Sequence, residues 1–185
     1  MADGGWRMAN GEWQMANDKV RILALLSDPL LGPGGRPVDP LGLEDEVEKV
    51  SAQLAGLGRA AELRLVVAAP TNVLNALREY GPFDLLHFSG HGGEGLLAFE
   101  DGEGGMFPLD AMRLRAIFAP LSRPPAQVAF LSACHSESMA QALLAAGVPH
   151  VAVVNTALAV LDVAARPCWP GSRCARLLNL AGRLF

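Results

Sequence analysis

Cysteine is scarce in this chain and unevenly placed. Cys134, Cys168 and Cys174 are the three in 185 residues, and they form no regular framework of the kind that staples a small secreted domain. A basic block is also missing. The formal net charge is −4 and the isoelectric point about 5.5, which leaves no electrostatic footprint for nucleic acid. The opening "MADGGWRMANGEWQMANDK" lacks the apolar centre of a signal peptide. Nowhere do ~20 apolar residues run on without interruption, as a membrane span requires. The expectation is a soluble protein of a reducing cytoplasm, with neither membrane nor nucleic acid as a direct partner.

Apolar residues make up 51 % of the chain, enough for one buried domain and hardly two. The first 18 residues carry a short echo, "WRMAN" then "WQMAN", with Trp6 and Trp13 in register. Two copies make no repeat architecture, and residues 1–18 are read as a flexible tail. Order is expected from residue 19 to residue 166. "KVRILALLS", "AELRLVVAA", "PFDLLHFSG", "QVAFLSA" and "HVAVVN" have the length and apolarity of buried strands. Between them, "LEDEVEKVSAQLAGLG", "NVLNALREY", "AMRLRAIF" and "ESMAQALLAA" read as helices.

The first of these helices has Glu44, Asp45 and Glu46 at its positive end. Asp110 is placed to cap the third, and Ser132, Ser136 and Ser138 to cap the fourth. "GLLAFEDGEGGMFPL" reads as a hairpin turning at Asp101-Gly102. Strands alternating with helices imply an α/β protein, a three-layer sandwich around a mostly parallel central sheet. Residues 167–185, "PCWPGSRCARLLNLAGRLF", break the pattern and read as a divergent or truncated tail. Cys168 and Cys174 are given no role.

In such a sheet, ligands gather beyond the carboxyl ends of the strands. Three loops leave that edge, carrying Asp28, His91 and Cys134. If the third and fourth strands are neighbours, His91 and Cys134 face each other across one cleft. Cys134 by itself is open to three readings: a small core thiol, a metal ligand or a nucleophile. A nucleophilic cysteine needs a base and a positive environment, and His91 and the start of the following helix supply them. The amides of Gly92 and Cys134 are then candidates for an oxyanion hole. Zinc is not expected, because the histidines and Cys134 lack paired ligand spacing. "GHGGEG" has neither the Lys-Ser/Thr ending of a P-loop nor the spacing of a dinucleotide fingerprint. His87, inside the apolar third strand, reads as a neutral core histidine.

"FDLLHFSGHGG" followed by "VAFLSACHSESMAQALLAAGVPHVAVV" resembles the CHAT family of caspase-like cysteine peptidases. The later "LAVLDVAAR", with Asp162, resembles the family's segment after the fifth strand. The resemblance implies a caspase–hemoglobinase fold, His91 and Cys134 as the catalytic dyad, and peptide-bond hydrolysis without a cofactor. It also implies a protein or peptide substrate and a regulatory sensor or repeat module as partner. Related metacaspases carry an acid two positions before the cysteine, where this chain has Ser132. Asp28 is the remaining candidate acid, and Ser132 and His135 are candidates to line the substrate cleft. The alternative function is a catalytically inactive CHAT-like regulatory or interaction module; a more distant one is a flavodoxin-like ligand binder.

Overall fold

A computed structural model describes residues 6–9, 12–15, 19–56, 61–155 and 158–164. The 167–185 segment lies outside these residues, and Cys168 and Cys174 with it. The chain opens with β1 (Trp6–Ala9) and β2 (Glu12–Met15), which pair antiparallel with Trp6 opposite Met15 and Met8 opposite Trp13. A flexible tail was the expectation there. Asn10-Gly11, between the two strands in sequence, lies outside the described residues.

The main body is built from β3 (Val20–Ser27), α1 (Leu43–Gly56), β4 (Ala61–Val67), α2 (Pro70–Tyr80) and β5 (Leu85–Gly90). A small antiparallel sheet follows, made of β6 (Gly92–Gly93), β7 (Leu96–Glu100) and β8 (Met106–Asp110). Then come α3 (Ala111–Phe118), β9 (Val128–Ser132), α4 (Glu137–Ala145), β10 (His150–Asn155) and β11 (Leu158–Ala164). The central sheet runs β11-β10-β9-β5-β3-β4. Five strands are parallel, and β11 closes one edge antiparallel to β10. The "LAVLDVA" segment is therefore an edge strand.

The two faces of the sheet bury different helices, as a three-layer sandwich requires. On one face, Val50 and Leu54 of α1 pack on Ile22, Leu85, Val128 and Phe130. On the other, α2, α3 and α4 meet Leu23, Leu25, Phe88 and Leu131, together with Leu97 and Phe99 of β7. Phe88 stacks on Phe99, with ring centroids 5.5 Å apart, and so ties the small sheet to the large one.

Local chemistry sets the element ends. Asp110 accepts a 2.8 Å bond from the Arg113 amide and caps α3 as expected. Gly147, at φ +93°, stops α4. The β7–β8 connection spans residues 101–105, since Glu100 pairs with Met106. It is held by Asp101 Oδ1, which accepts from the amides of Glu103 and Gly105 at 2.7 and 2.9 Å, so Asp101-Gly102 is not a two-residue turn. Ser136 departs from its expected role too: it precedes α4, but its buried hydroxyl makes no cap. Ser132 is the last residue of β9, four positions short of that cap.

The long loop after β3 is strapped down by main-chain bonds. Leu30 and Leu31 donate to the Gly104 carbonyl at 3.0 and 3.1 Å, Met106 donates to Leu31 at 2.7 Å, and Val38 to Leu30 at 3.0 Å.

Candidate active site

Strand register gathers the three expected loops. β5 lies between β3 and β9, with Ser27 opposite Gly90 and Ser89 opposite Ser132. Asp28, His91 and Cys134 follow just past the ends of these three adjacent strands, so their loops leave the same edge of the sheet. The parallel topology turns a wide sequence separation into neighbouring loops at the carboxyl edge.

His91 follows directly on β5. Its carbonyl accepts from Ala98 of β7 at 2.9 Å, so the small sheet fixes its backbone. Its Nε2 lies 3.0 Å from the Asp39 carbonyl oxygen and 3.7 Å from Asp28 Oδ1. A carbonyl oxygen only accepts, so Nε2 carries the proton and Nδ1 keeps the lone pair in the neutral ring. Asp28 holds the same segment from its other side, since its Oδ2 accepts from the Leu41 amide at 3.0 Å. Asp28 thus serves His91 and the loop together. Sequence reading missed Asp39 because its contribution is a backbone oxygen, which any residue supplies.

Cys134 is a free, exposed thiol in the tight connection from β9 to α4. The chain turns there through His135, whose φ of 53° lies in the left-handed region, where histidine is enriched over bulkier residues. His135 is exposed, like Cys134, while Ser132 is half-buried. Opposite, Gly92 is pressed against this turn. A Cβ at Gly92 would stand 2.1 Å from the Cys134 oxygen and 3.1 Å from its nitrogen, so only glycine fits. His91 bonds to Ala98, which makes the next pair, Gly92 and Leu97, a non-hydrogen-bonded one. The Gly92 N–H is therefore directed away from β7.

Beneath His91, on the same face of β5 by strand alternation, lie Ser89 and His87. Both bond to Glu46 in the first turn of α1: His87 Nε2 stands 2.9 Å from Oε1, and the Ser89 hydroxyl donates to Oε2 at 2.6 Å. His87 is fully buried and packs on Phe130, ring centroids 5.6 Å apart. Burial pushes its imidazole below the usual value, outweighing the opposite pull of Glu46, so it is neutral. Burial alone would raise the Glu46 carboxyl, but the bonds from His87 and Ser89 bring it below the ordinary range. Because Ser89 gives its proton to Glu46 and not to the imidazole, the three do not form a nucleophile relay. The expected core histidine is found, with a partner that the sequence had not suggested. Among the described residues no three histidine, cysteine, aspartate or glutamate side chains come together as a metal site. No helix among them is long and apolar enough to cross a membrane.

Against known families, the sequence profile of the CHAT domain matches residues 36–165, a span that includes both His91 and Cys134. The chain belongs to the CHAT family. CHAT domains are a family of caspase-like cysteine peptidases. No curated protein matches this CHAT domain. Among solved structures it is similar to a flavodoxin of Streptococcus pneumonia TIGR4, at 12 % identity and a TM-score of 0.39, over 89 % of this chain and 97 % of that one.

Proposed function

We propose that this CHAT domain is a cysteine endopeptidase acting through Cys134 and His91. The observation that supports the reading is that the loops of Asp28, His91 and Cys134 leave one edge of three adjacent strands, with His91 Nε2 already committed to the Asp39 carbonyl. That commitment leaves Nδ1 as the base. The Cys134 thiol gives its proton to Nδ1 as sulfur attacks the scissile carbonyl carbon. The Gly92 and Cys134 amides take the developing oxyanion. The carbon–nitrogen bond then breaks, and the imidazolium returns the proton to the leaving amine. Water, deprotonated by His91, hydrolyses the thioester, freeing the acid and the thiol. Asp28 balances the charge on the imidazolium. Ser132 and His135 face the substrate, a protein or peptide, and no cofactor takes part. The domain works in the cytoplasm under the control of a sensor or repeat module.

Intact-mass measurement with peptide chloromethylketones of varied P1 residue tests this. The expected result is one adduct at Cys134, none in Cys134→Ala, and labelling slowed on the order of a hundredfold or more in His91→Ala. Folded protein that stays unlabelled with every P1 residue, alone and with its regulatory partner, overturns the peptidase and leaves the interaction module.

A further inference from the structure

The segment from Asp39 to Glu46 touches the site three times. The Asp39 carbonyl accepts from His91, the Leu41 amide donates to Asp28, and the Glu46 carboxylate accepts from His87 and Ser89. The first two contacts lie at the sheet edge that carries the dyad, and the third lies directly below it on β5. Gly42 starts the helix, with its carbonyl accepting from Asp45 at 3.2 Å. The Asp39 carbonyl therefore stands between two holds, the Val38 amide bonded to Leu30 on one side and α1 on the other. α1 has two sources of hold on the sheet: the apolar contacts of Val50 and Leu54, farther along the helix, and Glu46 in the first turn.

An apolar contact tolerates sliding, whereas a carboxylate bonded at both oxygens fixes direction and distance. His87 is rigid because it is buried and packed against the Phe130 ring, and Ser89 belongs to the strand that delivers His91. Both ends of the link are thus firm.

We propose that Glu46 is a positioning residue for the dyad: through α1 and the Asp39 carbonyl it holds His91 in the Nε2–H tautomer, with Nδ1 free for Cys134. The proposal rests on the peptidase reading for its purpose, but not for its measurement. The carboxylate is an anchor, and it takes no proton during turnover.

The test uses the full chain without substrate. Imidazole nitrogen chemical shifts report the His91 tautomer, and the rate of Cys134 alkylation by chloroacetamide reports the dyad. Wild type is expected to show the Nε2–H form. Glu46→Ala is expected to mix the tautomers and to slow alkylation about tenfold to a hundredfold. Glu46→Gln keeps an oxygen for His87 and offers an amide to Ser89, so it is expected to restore both readings to within about threefold of wild type. If Glu46→Ala does not fold, Ser89→Ala, which loses one of the two bonds, decides the matter by a smaller shift in the same direction. A His91 spectrum unchanged in the folded variant, with alkylation also unchanged, overturns the anchor. Alkylation indifferent to His91→Ala overturns the dyad instead, and the tautomer still reads the anchor on its own.

Discussion

At the scale of single residues, His87 is the most informative. In the folded protein it is neutral, held there by burial, while in the unfolded chain it titrates near its ordinary value of 6.5. Below that value the unfolded state binds a proton that the folded state refuses, so stability falls as pH drops. The slope reaches at most about 1.4 kcal/mol per pH unit. Glu46 has the opposite charge type but pulls the same way, in a lower window. Its carboxyl is depressed from 4.5, so its contribution is lost only as pH falls through and below that value. Urea midpoints of wild type are expected to decline between pH 7.5 and 5.5. In His87→Gln the part of that decline owed to His87 is expected to vanish, even though the variant is less stable overall. A slope identical in the two proteins contradicts a neutral His87.

These residues also show what a sequence discloses. His91 and Cys134 stand out because they sit in glycine- and serine-rich turns directly after apolar strands, where the fold needs no reactive side chain. Glu46 does not stand out. A glutamate in the first turn of a helix is fully explained by the helix dipole, so its second role is invisible until His87 and Ser89 are seen beneath it. Asp39 is more hidden still, because a carbonyl carries no signature in the side chain.

At the scale of elements, the order of strands and helices was readable from apolar runs, and most departures arise where turn chemistry competes. Asp101-Gly102 looks like a tight turn, yet the Asp101 side chain organises a longer one by accepting two amides. Ser136 looks like a cap, yet the turn through His135 carries its hydroxyl inside without a partner. Asp110 is the case where local chemistry and fold agree. Asp110→Ala is expected to cost about 1 kcal/mol of stability, as loss of a helix cap does. The check is a shift of urea midpoint with no change in slope, because the unfolded surface is unaltered. No shift would mean that α3 is held by packing alone.

At the scale of the whole molecule, the two faces of the sheet are unequal. Among the described residues, one buries three helices and part of a second sheet, and the other buries α1. Leu143, on α4, is 1 % exposed within the larger cluster, while Leu54, on α1, is 8 % exposed within the smaller one. Leu143→Ala is expected to cost about 2–5 kcal/mol, the range for a leucine fully enclosed by its neighbours. Leu54→Ala is expected to cost less, since a site near solvent collapses more easily. Calorimetric midpoints of the two variants check the order, and a larger loss at Leu54 would reverse the assignment of the principal core.

The loop after β3 is tied to the small sheet by amides and carbonyls at Leu30, Leu31 and Met106, and by the Glu100 carboxylate, which accepts from the Asp28 amide at 3.1 Å. Its outward leucines, Leu30 at 71 % exposure and Leu41 at 44 %, carry none of that load. The side chains of Leu30 and Leu41 are therefore interchangeable without disturbing the oxygen that orients His91. Variation can accumulate there at little cost to the bond-breaking machinery. In this architecture a wall that touches His91 keeps positions open to evolutionary retooling.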